Sequence, residues 1–291
     1  MKLTYLAYAK LNLMLDILSA LPSGFHELFM VMQSVSLADK VTVETTGESG
    51  ITLTLSDPEL PTDERNLALK AAKAFYAHFG LPPQGLHIHI EKHIPKAAGL
   101  AGGSADAAAV LRALFELNGK IPSVRELTAV GAKIGSDVPF CALGGLMLAQ
   151  HTGTVLSFLP ELDFGPFVVV TPDHAISTAA AYAAFDTAGR VRHPDSRGML
   201  DAVMNADLPG VFRRVNNVFE QFIDVPERVQ IKAVMREHGA LCTCMSGSGP
   251  SVFGVFETDL QAQAVAQELK RSFENVFVCR AVGEGVERTD F

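Results

Sequence analysis

A chain of 291 residues, 48% hydrophobic and only 19% charged, has a globular composition with room for one large domain or two of ordinary size. A net charge of −8 argues against a broad nucleic-acid or anionic-membrane surface, so an anionic ligand needs a local positive pocket. No apolar run reaches the roughly 18 residues of a membrane span, no signal-peptide core follows Lys2, and the four cysteines (Cys141, Cys242, Cys244, Cys279) lack zinc-finger spacing, so they read as reduced core thiols of a cytoplasmic protein.

Residues 3–17 alternate loosely and predict a strand. Lys10 and Asn12 interrupt it, two residues apart and therefore on one face; a lone lysine can also simply mark an edge strand. A turn at 21–24 leads into Phe25-His26-Glu27. Further strands are expected over 28–37, 41–44 and 51–55, and a polar loop over 57–64. Apolar spacing predicts a helix over 66–79, closed by Gly80 and Pro82-Pro83. Leu86, Ile88 and Ile90 alternate with His87, His89 and Glu91 as in a half-buried strand. His87, His89 and His93 share a face, but no carboxylate or cysteine cluster completes a ligand set, so no metal ligand is assigned.

Residues 94–106, Ile-Pro-Lys-Ala-Ala-Gly-Leu-Ala-Gly-Gly-Ser-Ala-Asp, follow that strand. From Ala107 the apolar positions take a helical period that Gly119 ends. Strand, glycine-rich loop, helix is a phosphate-binding arrangement: glycine lets backbone approach a ligand, and a helix N-terminus offers unpaired N–H groups. A plain loop with Ser104 as N-cap is the alternative. There is no Gly-Lys-Ser/Thr ending and no Gly-x-Gly-x-x-Gly, which excludes the Walker and dinucleotide loops.

Ser123 and Glu126 form a capping box for a helix over 124–134. Asp137, between Ser136 and Val138-Pro139-Phe140, is either a functional carboxylate or a turn residue. A strand is expected at 146–149, a boundary near 160–166, a strand at 167–171 and a helix at 177–185. A polar, mobile stretch at 190–195 precedes helical segments over 199–222, interrupted at Pro209-Gly210, and another at 229–238. Ser246-Gly-Ser-Gly-Pro250 is a second glycine-serine loop after the short apolar 241–245. A strand over 251–256, a helix over 259–273 and a strand over 276–281 complete an α+β pattern.

Pro95-x-x-x-Gly-Leu-x-Gly-Gly-Ser-x-Asp-Ala-Ala resembles the phosphate loop of the GHMP kinases, and Ala9-Lys-Leu-Asn12 and Met245-Ser-Gly-Ser-Gly-Pro-Ser251 resemble that family's other two motifs in the same order. Gly24-Phe-His26, Met32-Gln-Ser34, Gly135-Ser-Asp-Val-Pro-Phe140 and Ser177-Thr-Ala-x-Ala-Tyr182 sharpen the likeness to members that act on a cytidine diphosphate-linked alcohol of isoprenoid synthesis. The resemblance spans about residues 5 to 256. It implies a two-domain α+β fold: residues 1–160 an α/β domain with the phosphate loop at a helix N-terminus, 161–291 a ferredoxin-like domain, the site between them.

The same resemblance implies ATP with Mg²⁺, held by Pro95, Lys96, Ala97, Ala98, Gly99, Leu100, Ala101, Gly102, Gly103, Ser104 and Ala105. Asp137 and Lys10 are implied as catalytic, the first taking the hydroxyl proton and the second stabilising charge on the reacting oxygens. Asn12, Phe25, His26, Tyr182, Gly247 and Ser248 are implied as substrate-binding. The expected partner is a small molecule, not a nucleic-acid polymer or membrane. Departures are Ser19–Ser23, Phe25 where tyrosine is frequent, and Thr152-Gly153-Thr154, so nothing is assigned to His151 or Thr154. The competing readings are another GHMP small-molecule kinase and a catalytically silent nucleotide-binding protein of the same fold.

Overall fold

The computed structural model describes residues 1–174 and 176–289. The long apolar start forms strand β1 (Lys2–Ala20), which turns through Gly24 at φ 82° into antiparallel β2 (His26–Thr45). The segments 28–37 and 41–44 are thus one strand. Pairing jumps from Tyr8 opposite Ala38 to Ala9 opposite Val35, leaving Ser36 and Leu37 as a bulge. Ser36 N donates instead to the Arg280 carbonyl, so the bulge turns β2 toward the second sheet.

Strand β3 (Ile51–Leu55) precedes helix α1 (Leu67–Phe79), which Asn66 caps by accepting from Ala68 N and Gly80 ends at φ 62°. Strand β4 (Leu86–Glu91) joins β2 antiparallel and β3 parallel. Helix α2 (Gly102–Leu117) then packs an alanine-rich face on β1 and β2; the small side chains bring its axis close to the sheet. Helices α3 (Val124–Gly131), with its capping box, and α4 (Val138–Leu143) lead to strands β5 (Leu146–His151), paired with β2, and β6 (Val155–Phe158).

The second half begins with β7 (Phe167–Thr171), α5 (Thr178–Asp186), α6 (Ser196–Met204), α7 (Leu208–Phe212) and the two-residue β8 (Asn216–Asn217). It continues through α8 (Pro226–Glu237), β9 (Cys242–Met245), β10 (Val252–Val255), α9 (Asp259–Leu269), β11 (Asn275–Cys279) and β12 (Val286–Arg288). Strands β11-β7-β10-β9 form an antiparallel sheet, with α8 and α9 packed on it by Ile231, Met235, Val265 and Leu269. That strand order and connectivity are ferredoxin-like, as expected. Strands β8 and β12 leave that sheet and pair with β1 in the larger one.

Differences from the sequence reading have local causes. Pro209 lies in the first turn of α7, where its missing N–H costs nothing, and Asp207 caps that turn through Gly210 N; the helical stretch 199–222 is therefore two short helices, a strand and a 3₁₀ turn. Strands β6 and β12 are too short or too exposed to signal themselves. The polar 190–195 stretch is anchored by reciprocal bonds between Arg192 backbone and Gln221, and by His193 Nδ1 against Asp16.

Candidate active site

The α2 N-terminus does not follow the alternative reading, a plain loop with Ser104 as N-cap. The N-cap position is Ala101, at φ 60° and with no side-chain cap bond; Gly102, Gly103 and Ser104 are already the first helical turn. Ala97 and Ala101 both hold left-handed backbone, which disfavours a side chain and recurs where a loop is shaped for a ligand. Gly99, at φ 74°, is pressed backbone to backbone on the second loop: an added Cβ would lie 2.1 Å from the Ser246 carbonyl. Ser246 Oγ donates to Gly99 O at 2.9 Å, and Ser251 N to Ala98 O at 3.3 Å. The two glycine-rich loops are therefore one structure.

Lys10 and Asn12 enter beneath them from β1. Lys10 is 4% exposed and its Nζ donates to Asn12 Oδ1 (2.7 Å) and Gly99 O (2.9 Å). Asn12 Oδ1 also accepts from Gly247 N at 3.0 Å, tying β1 to the second loop. Burial pushes the Lys10 ammonium down from its usual range and the charge of Asp137 pulls it back up. No direct ion pair joins the two among the described residues. Asp137 stands at the N-cap position of α4, half-buried, with no capping bond from its side chain, so its carboxylate is not consumed by the helix.

A cleft of about 1070 Å³ runs past these residues, and the glycine-rich loop from Pro95 to Ser104, Lys10, Asn12, Asp137, Phe25, His26, Tyr182, Gly247 and Ser248 line it, whereas Leu100 and Ala105, also expected at the site, are buried away from it. Tyr182 stacks on His26 with centroids 4.6 Å apart and meets Phe219 edge-on at 5.1 Å. Burial, then the charge of Asp137, pushes the Tyr182 phenol up to about 12, so the aromatic end of the cleft feels the carboxylate. Phe25 is 59% exposed at the rim and has no ring contact among the described residues. Lys96 reaches Glu59 and Asp57 on the polar loop.

The comparisons with known proteins fit this architecture. GHMP kinase family models match as the N-terminal domain over residues 66–145 and the C-terminal domain over 212–275. A protein of Geobacillus kaustophilus named 4-diphosphocytidyl-2-C-methyl-D-erythritol kinase is 42% identical over 98% of each chain. The chain belongs to this kinase family. A Clostridium acetobutylicum protein of the same name is 39% identical over 95% of this chain and 99% of its own. A solved 4-(cytidine 5'-diphospho)-2C-methyl-D-erythritol kinase superposes with TM-score 0.78 at 32% identity, over 97% of this chain and 100% of that one. Homoserine kinase from Cytophaga hutchinsonii shares the fold, with TM-score 0.80 at 21% identity. As a GHMP kinase the chain is an ATP-dependent small-molecule phosphotransferase, and among the described residues no helix is long and apolar enough to cross a membrane.

Three features of this kinase's site were not anticipated. Asn217, buried on β8, donates to the Met245 and Gly247 carbonyls at 2.8 and 2.7 Å and so shapes the second loop. Lys92, just after β4, pairs with Asp106 on α2 (2.7 Å) and with Asp39 on β2; Asp39 and Asp106 are buried, and Lys92 and Asp106 reach the floor of the cleft. Asp106 Oδ1 has no hydrogen-bond partner among the described residues, and burial pushes its carboxyl up to about 8 against the pull of Lys92. Asp186 bonds His26 Nε2 at 2.7 Å. Tandem asparagines inside a helical stretch, and a charged residue in an apolar strand, were the available cues. The four thiols are free, and burial pushes each of them up, in keeping with inert core cysteines.

Proposed function

We propose that the chain transfers the terminal phosphoryl group of ATP to the 2-hydroxyl of 4-diphosphocytidyl-2-C-methyl-D-erythritol, in the non-mevalonate route to isoprenoid precursors, in the cytoplasm. The observation that supports it is the single cleft in which a helix N-terminus with free N–H groups, a buried lysine, an uncapped aspartate and a His–Tyr stack meet. Within the loop 95–105, the backbone N–H groups of Gly102, Gly103 and Ser104 in the first turn of α2 hold the nucleotide phosphates, favoured by the helix dipole. Asp137 takes the proton of the attacking hydroxyl. Lys10, held by Gly99 O and Asn12, places its charge beside the reacting oxygens as negative charge develops. Asn12, Gly247 and Ser248 position the polyol end, and Phe25, His26 and Tyr182 take the cytosine. We read residues 1–160 and 161–291 as the two lobes that close on these ligands.

Mg²⁺ accompanies the nucleotide and neutralises phosphate charge when bound. The donors present suit it: the Ser104 hydroxyl makes no hydrogen bond among the described residues, and Mg²⁺ takes one or two protein oxygens with phosphates and water. The test is ADP release with the cytidine, uridine and nucleotide-free methylerythritol phosphates. Efficient use of the cytidine compound alone is the expected result; equal use of all three would overturn the substrate and leave the kinase.

A further inference from the structure

Helix α5 touches the imidazole of His26 with Tyr182, Phe185 and Asp186, three side chains spaced as neighbours on one helical face. Tyr182 stacks at 4.6 Å and 22°, Phe185 meets the ring edge-on at 5.9 Å and 88°, and Asp186 Oδ1 lies 2.7 Å from Nε2. The aromatic contacts fix the ring plane. The carboxylate fixes the tautomer, because an ionised carboxylate can only accept a hydrogen bond. Neutral His26 therefore carries its proton on Nε2 and offers Nδ1 as a bare acceptor. Among the described residues Nδ1 has no hydrogen-bond partner, and the ring lines the cleft. The 4-amino group of cytosine is a donor, whereas uracil has a carbonyl acceptor at the same position. Two acceptors facing each other leave both unpaired in a desolvated site.

We infer that Asp186 is a positioning residue for base selection, holding His26 in the tautomer whose Nδ1 accepts from the cytosine amino group. The inference rests on the reading of His26 as the base-contacting residue. Asp186 needs no contact with the base; its side chain is 48% exposed at the rim while His26 is 8% exposed inside.

The test compares cytidine and uridine forms of the substrate on wild type, Asp186→Asn and Asp186→Glu, together with long-range proton–nitrogen NMR of the His26 ring. Asparagine keeps the shape but can donate to Nε2, which moves the ring proton to Nδ1. The expected result is a loss on the order of tenfold in the cytidine-to-uridine ratio, carried mainly by KM, with kcat on the cytidine substrate little changed. Asp186→Glu keeps an acceptor and should keep the ratio. NMR should show a protonated Nε2 in wild type and a protonated Nδ1 in Asp186→Asn. An unchanged ratio in folded Asp186→Asn, or an equal loss in Asp186→Glu, would overturn the inference while leaving His26 as the reader. A wild type that does not discriminate between the two bases would instead overturn the base reading itself; the tautomer measurement, made without substrate, keeps the two failures apart.

Discussion

Replacing Gly99 with alanine tests whether the two glycine-rich loops act as one structure. The added Cβ would sit 2.1 Å from the Ser246 carbonyl and 3.1 Å from that of Gly249, both backbone atoms, so no side-chain rotation relieves the contact. Left-handed backbone at φ 74° adds roughly 1–2 kcal/mol for an alanine, and a forced backbone shift about 1–3 kcal/mol more. The loops must part, which lengthens the bonds that Gly99 O accepts from Lys10 and Ser246. Urea unfolding should therefore show a loss of about 2–5 kcal/mol, and the folded variant should lose both ATP affinity and turnover. Gly103→Ala is the control: its φ is ordinary and the nearest neighbour of a Cβ is Leu67 Cδ1 at 3.8 Å. It should be as stable as wild type, or slightly more so, since alanine gains about 1 kcal/mol over glycine in a helix. It should still weaken ATP binding measured by calorimetry, because the methyl group stands where phosphate approaches. A stable Gly99→Ala variant with intact nucleotide affinity would refute the reasoning.

Asp137→Asn should fold normally and lose roughly 10²–10⁴-fold in kcat; near wild-type turnover would remove it as the base. Lys10→Met should be comparably impaired, and the double variant should be little worse than either single one if the two act as a unit, measured by single-turnover phosphoryl transfer. Tyr182→Ala removes a ring that stacks on His26 and faces the cleft, so substrate affinity by calorimetry should fall on the order of ten- to a hundredfold, with poor discrimination between bases. Asp106 has a folded-state pKa raised from 3.8 to about 8, so its contribution to stability is present at acid pH and lost as pH rises through that window. Melting of Asp106→Asn should therefore show a gain over wild type that grows from pH 5 to pH 8; a constant offset would count against a raised carboxyl.

Legibility followed the range over which each signal acts. Local chemistry was plain in the chain: the Asn66 cap, the Ser123–Glu126 box, the Gly80 stop and the strand–loop–helix at 86–117 all appear where spacing and caps put them. The glycine-rich loop before a helix was visible, yet that helix starts at Gly102 instead of beyond Ser104, because glycines read as loop until the α2 packing is known. Features set by distant partners were hidden. Nothing near Asp106 announces Lys92 and Asp39, and nothing near His26 announces Asp186, 160 residues away. The strand β12 is three residues long and is a strand only because β1 offers it an edge.

That edge has a consequence for how the molecule is assembled. Lys10 and Asn12 lie on a strand made among the first twenty residues, but its neighbours β8 and β12 are made some two hundred and more residues later. Until they arrive, β1 presents unpaired N–H and C=O groups along one side, the kind of edge on which chains aggregate. The pairings Tyr5–Arg288 and Ala7–Val286, and the bond from Tyr8 to Glu287, close it last. Contacts of such sequence separation slow folding and delay it until Val286–Arg288 have been made. The strand that carries Lys10 thus matures only with β12, and a fragment that stops short of Val286 would keep every residue of the glycine-rich loop while leaving the Tyr5–Ala7 stretch of that strand without its partner.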